Sequence, residues 1–141
     1  MDPKLTRLNP DKLHETPGYH HITVVESGPT AYLSGQCPLD REGTLVGLGD
    51  MAAQIAQVVA NSVTALDAVG ATPGHVVRTV IYVVTDEQPT LAAAWRQLSE
   101  SELAPALTAA ATLLGVAQLG YPGQLVEVDL TAAVHGWRDG C

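Results

Sequence analysis

The sequence predicts one α+β domain, a mixed β-sheet carrying two helices on one face. Three observations predict it. Hydrophobic residues make up 46% of the 141 residues, yet Phe is absent and there are only four Tyr and two Trp. The core is therefore built from Val, Leu, Ile and Ala packed between regular elements. Apolar residues also recur with two periods, alternating in some runs and at helical spacing in others. Finally, the runs follow one another as β-β-α-β-α-β-β, which suits a sheet of four to six strands.

Residues 1–17 are polar and broken by Pro3, Pro10 and Pro17. They read as an N-terminal arm with at most a short strand around Leu5 to Leu8. The domain proper spans 18–134. Gly18 opens a strand over His20 to Glu26, and Ser27-Gly28-Pro29 turns it into a second over Thr30 to Ser34, which predicts a β-hairpin. After a loop from Asp40 to Gly49, Asp50 is a good N-cap for a helix. Met51, Ile55, Val58, Val59, Leu66 and Val69 form its apolar face, and Gly70 ends it.

Thr72-Pro73-Gly74 leads into Val76 to Thr85, whose β-branched residues on both faces mark a strand covered on both sides. A second helix fits Thr90 to Glu100, capped by Thr90, with Leu91, Trp95 and Leu98 on one side. Pro105 breaks the Ala-rich stretch that follows. The next strand is read over Ala110 to Leu119, a turn over Gly120 to Gly123, and the last strand over Gln124 to Val134. Residues 135–141 are a tail. In the last strand Val126, Val128, Leu130, Ala132 and Val134 face the helices, while Leu125, Glu127, Asp129, Thr131 and Ala133 face the other way. A sheet face mixing apolar residues with carboxylates, and left uncovered, is suited to burial against another subunit.

Fifteen acidic and seven basic residues give a net charge of −8, with the cations scattered singly. Nucleic acid is not an expected partner, because phosphate binding draws on grouped cations. No segment approaches the roughly 20 apolar residues of a membrane span, and the expected location is cytoplasmic. Cys37 and Cys141 make no disulfide framework, no Cys or His spacing fits zinc, and no cofactor is expected.

The motif Tyr32-Leu33-Ser34-Gly35-Gln36-Cys37-Pro38 leaves a strand through a Ser-Gly break. Such a break offers amide N–H groups and a hydroxyl to a small anion or a carbonyl oxygen. Taken alone it is equally a plain chain reversal.

Leu33-Ser34-Gly35-Gln36, Gly43, Gln54 and Asn61 in a helix, Gly70-Ala71-Thr72 with Val76-Val77, Leu114-Gly115-Val116-Ala117 and Leu125-Val126-Glu127-Val128 occur in order. Together they resemble the RidA/YjgF family from about Gly18 to Val134. The resemblance implies a chorismate-mutase-like fold and a homotrimer with small-molecule clefts between subunits. In deaminating members a cleft Arg pairs with the substrate carboxylate, and a Glu on the last strand positions the water that attacks an imine carbon. Glu127 matches that Glu, Ser34 and Gly35 match the cleft turn, and Tyr19 matches a Tyr lining the cleft. The Arg position falls on Ala111, or on Leu107 in another alignment, and an Asn of the second helix falls on Ala92 or Ala93. The resemblance thus implies a cleft without its usual carboxylate clamp.

Each candidate also has a structural reading. Glu127 is either catalytic or paired at a subunit contact. His20 and His21 are either strand-edge residues or a cleft acid or base. Cys37 is either a small buried thiol or a nucleophile beside the cleft turn. Two functions stay open: an enzyme acting on an imine, enamine or related carbonyl compound through Glu127, and a trimeric binding protein without chemistry.

Overall fold

The structure, a computed structural model, describes residues 4–135 and 137. The elements are β1 (Leu5–Leu8), β2 (Ile22–Val25), β3 (Thr30–Tyr32), α1 (Met51–Ala68), β4 (Val76–Val84), α2 (Gln88–Ser99), β5 (Ala110–Val116) and β6 (Val126–Ala133). The main sheet has the order β3-β6-β4-β5, in which β4 and β5 are parallel and the other pairs antiparallel. Parallel neighbours need a crossover, and α2 provides it. The result is the predicted α+β arrangement.

Asp50 caps α1 as its residue type implies: its backbone is extended and its Oδ1 accepts from Ala53 N at 3.1 Å. The buried face of α1 carries Ile55, Val58, Val59 and Leu66. These meet Ile81 and Val83 of β4, Val126, Val128 and Leu130 of β6, and Leu98 of α2 in one core. The opposite alternation on β6 leaves Glu127, Asp129 and Thr131 only half-buried.

Three expectations require correction. The β2–β3 hairpin does not form: β2 pairs with β1, Leu5 opposite Val25, while β3 pairs with β6, Thr30 opposite Ala133. Pro29 has no N–H to donate to a hairpin ladder, and its carbonyl accepts instead from Val134 N at 3.0 Å. The second helix starts at Gln88 with Glu87 as N-cap, rather than being capped by Thr90. Pro89 lies in that first turn, where its missing N–H costs nothing. The strand expected over Ala110 to Leu119 ends at Val116.

Within the N-terminal segment, β1 is docked by Arg7, whose guanidinium donates to Gly74 O at 3.2 Å and Val76 O at 3.1 Å, and to Thr108 Oγ1. Pro105 falls within a 3-10 turn, Ala104–Thr108, that interrupts the chain before β5. Cys141 lies outside the described residues, as does most of the predicted tail.

Candidate functional site

The Ser34-Gly35 break is a β-bulge. Tyr32 stands opposite Thr131 and Gln36 opposite Val128, so four steps along one strand match three along the other. The extra residue bends the backbone across the sheet face that carries Glu127. A Cβ on Gly35 would stand 2.7 Å from Glu127 Cδ and closer still to Oε2. Only glycine leaves room for the carboxylate at this crossing.

Glu127 Oε1 accepts from the Cys37 thiol at 3.3 Å and from Gln124 Nε2 at 3.2 Å. No donor among the described residues reaches Oε2. Burial, and then the hydrogen bond and charge of Glu127, push the Cys37 thiol from its usual 9.0 up to about 11. Near neutral pH the sulfur is thus a protonated donor rather than a thiolate. A carboxylate with one oxygen fixed and the other open can accept a proton from a water molecule.

Helix α1 holds this turn in place. Asn61 Nδ2 donates to Cys37 O and to Leu39 O, both at 2.9 Å. Buried Gln54 donates to Gly47 O and Gly123 O, both at 3.0 Å, and accepts from Leu125 N at 2.8 Å. It joins the loop before α1 to the turn before β6. Both residues were legible as part of the resemblance; Gln124, which orients Glu127, was read only as the first residue of the last strand, whereas it lies two residues before β6 begins at Val126.

Tyr19 and Ala111 meet elsewhere, in a cavity of about 640 Å³ between α2 and β5. Pro17 and Tyr19 form one wall, Ala92, Trp95, Arg96 and Ser99 of α2 a second, and Ala111 and Leu113 the third. The Tyr19 ring stands edge-on to Trp95 at 6.2 Å, and its hydroxyl lies 2.9 Å from His14 Nε2. His20 is not in this lining; its Nδ1 lies 2.5 Å from Thr108 O. His21 packs edge-on to Tyr19, with ring centroids 5.8 Å apart. Arg96, a lining cation, was missed by sequence reasoning.

The two groups lie on opposite faces of the sheet. Ala111 pairs with Thr79 and Leu113 with Ile81, both buried on the helix side, whereas Glu127 pairs with Tyr82 on the other side. Within one chain the structure joins Ser34, Gly35, Cys37 and Glu127, and separately Tyr19 and Ala111. Among the described residues no group of three His, Cys, Asp or Glu could hold a metal ion, and no helix is long and apolar enough to cross a membrane.

The family model described as Endoribonuclease L-PSP matches residues 11–134. A Yersinia pestis protein of unknown function from the conserved Rid family, YyfB, is 34% identical with a TM-score of 0.82, covering 92% of this chain and 98% of its own. A Mycobacterium tuberculosis member of the YjgF/YER057c/UK114 family is 26% identical with a TM-score of 0.55, over 93% of this chain and 100% of that one. A second Yersinia pestis Rid protein, YyfA, at 23% identity and a TM-score of 0.64 over 93% and 100%, shows likeness of fold alone. No curated protein matches the sequence significantly. The two helices on a mixed sheet are the chorismate-mutase-like fold of these relatives. By the extent of the family match and the likeness to YyfB, the chain belongs to the Rid/YjgF family, whose model carries the L-PSP description.

Proposed function

We propose that the protein is a homotrimer that hydrolyses a reactive imine, or a related enamine or carbonyl compound, in a cleft between subunits. The observation that carries this reading is the Glu127 carboxylate, held through Oε1 by Cys37 and Gln124 while Oε2 lies open beside Gly35. Glu127 takes a proton from water as the water oxygen bonds to the imine carbon. Return of that proton to nitrogen gives the carbinolamine, and transfer of its hydroxyl proton to nitrogen through the same carboxylate lets the C–N bond break, so that ammonia leaves as the carbonyl forms. The Ser34-Gly35 turn borders the reacting oxygen, and Tyr19 and Ala111 of a neighbouring subunit complete the cleft. That division between subunits is supported by the opposite sheet faces on which the two groups lie.

Ala111 and Ala92 stand where the resemblance places the Arg and the Asn of deaminating members, and their small side chains favour a bulkier substrate than a small 2-imino acid. The same small apolar residues favour the second reading, a trimeric binding protein without chemistry. The L-PSP description suggests ribonuclease activity, which a net charge of −8 opposes.

One variant separates the readings. In Glu127→Gln, release of carbonyl product from the imines of leucine and phenylalanine, generated in the assay by an amino-acid oxidase, should fall by about 10² to 10⁴. Light scattering should still give a trimer mass. Full turnover in an intact trimer counts against catalysis by Glu127, and a monomer mass for the native chain would sink the shared cleft.

A further inference from the structure

The cavity beside α2 is lined by a cation, Arg96, that no other described residue pairs with. Ala92, Trp95, Arg96 and Ser99 follow at i, i+3, i+4 and i+7, so they share one face of α2, and that face is a cavity wall. No acidic side chain among the described residues lines the cavity. Among the described residues nothing pairs with the Arg96 guanidinium, although the chain has fifteen Asp and Glu against seven Lys and Arg. Other arginines are engaged: Arg7 donates to Gly74 O and Val76 O at the start of β4, and Arg78 donates to Thr112 Oγ1 at 2.9 Å.

We infer that Arg96 determines specificity in this cavity by binding the carboxylate of a ligand whose apolar body lies against Trp95 and Leu113. The inference deepens the function proposed above, since it names the substrate class, and it rests on that reading in treating the cavity as part of the ligand cleft. A guanidinium presents a planar fork of N–H donors, which a carboxylate meets with two parallel hydrogen bonds. The lining of Trp95, Ala111 and Leu113 suits a small molecule with a hydrocarbon body. The small side chains at Ala92, one turn before Arg96, and at Ala111 leave space for the guanidinium and its ligand. Trp95 and Tyr19, packed edge to face, form a fixed wall against which such a body can lie.

The test is calorimetric titration of the full chain with 4-phenylbutyrate and with its neutral amide, 4-phenylbutyramide. The native protein should bind the carboxylate about 10- to 100-fold more tightly than the amide, the usual worth of a charge-assisted pair. Arg96→Met should abolish the preference, and Arg96→Lys should keep part of it. Equal affinity of the native protein for both probes, or no binding of either at millimolar concentration, overturns the inference. So does a preference unchanged in Arg96→Met, or a change of oligomer mass in that variant, which would mean that Arg96 pairs across a subunit contact instead. Glu127→Gln, titrated in parallel, should keep the preference. A preference that survives there and disappears in Arg96→Met supports Arg96 whether or not Glu127 activates water. Full turnover in Glu127→Gln counts against the catalytic reading alone.

Discussion

The Cys37 thiol donates a 3.3 Å hydrogen bond to Oε1 of Glu127, joining two residues 90 positions apart in the sequence. Burial is the larger cause of the raised thiol pKa, and the carboxylate adds to it. In a protein carrying Cys141→Ser, the rate of Cys37 alkylation by iodoacetamide should rise with pH through about 11 rather than 9.0. Glu127→Gln should lower that midpoint part of the way, leaving the share due to burial. The native state holds this proton more tightly than the unfolded chain does. The stabilisation is therefore fully present below about pH 9 and lost as pH rises towards 11. Alkylation as fast as that of a free thiol at pH 8 would contradict the contact.

Gly35→Ala places a methyl group where the Glu127 carboxylate lies. The carboxylate is the far end of a flexible side chain, so it should swing aside and surrender its bonds to Cys37 and Gln124. Thermal unfolding should register a loss of only about 1 kcal/mol. Turnover should fall nearly as far as in Glu127→Gln, and the Cys37 alkylation midpoint should drop as well. A variant with native turnover would show that the carboxylate position above Gly35 is irrelevant to function.

Much of the architecture was legible because it depends on local chemistry. Asp50 and the apolar spacing after it mark α1, and alternation from Val126 to Ala132 marks β6 with its two unequal faces. Partner choice was not legible in the same way. Whether β2 meets β3 or β1 depends on where Arg7 and Pro29 find acceptors and donors far along the chain. The start of α2 was misplaced because Thr90 is a good cap by type, while Pro89 is tolerated inside the first turn. At the site, the Ser-Gly break and Glu127 could be placed together through the family resemblance, from two motifs about 90 positions apart. Arg96 could not, since an exposed helical arginine has no periodic signature and only the packing of α2 against β5 shows what it borders.

Under the proposed cleft shared between subunits, the opposite placement of Tyr19 and Ala111 on one side of the sheet, and Glu127 on the other, would make each subunit half of two different sites. Damage to one half therefore need not accumulate with damage to the other. Arg96→Met chains, which lose the grip on the substrate carboxylate, and Glu127→Gln chains, which lose the base, should each turn over the imines of leucine and phenylalanine poorly as pure assemblies, and should rescue one another when unfolded together and refolded as an equal mixture. If each cleft draws Glu127 from one subunit and Arg96 from the next, random assembly leaves about a quarter of the clefts intact. Such complementation, read as turnover reappearing on mixing, is a property no single-chain active site can have.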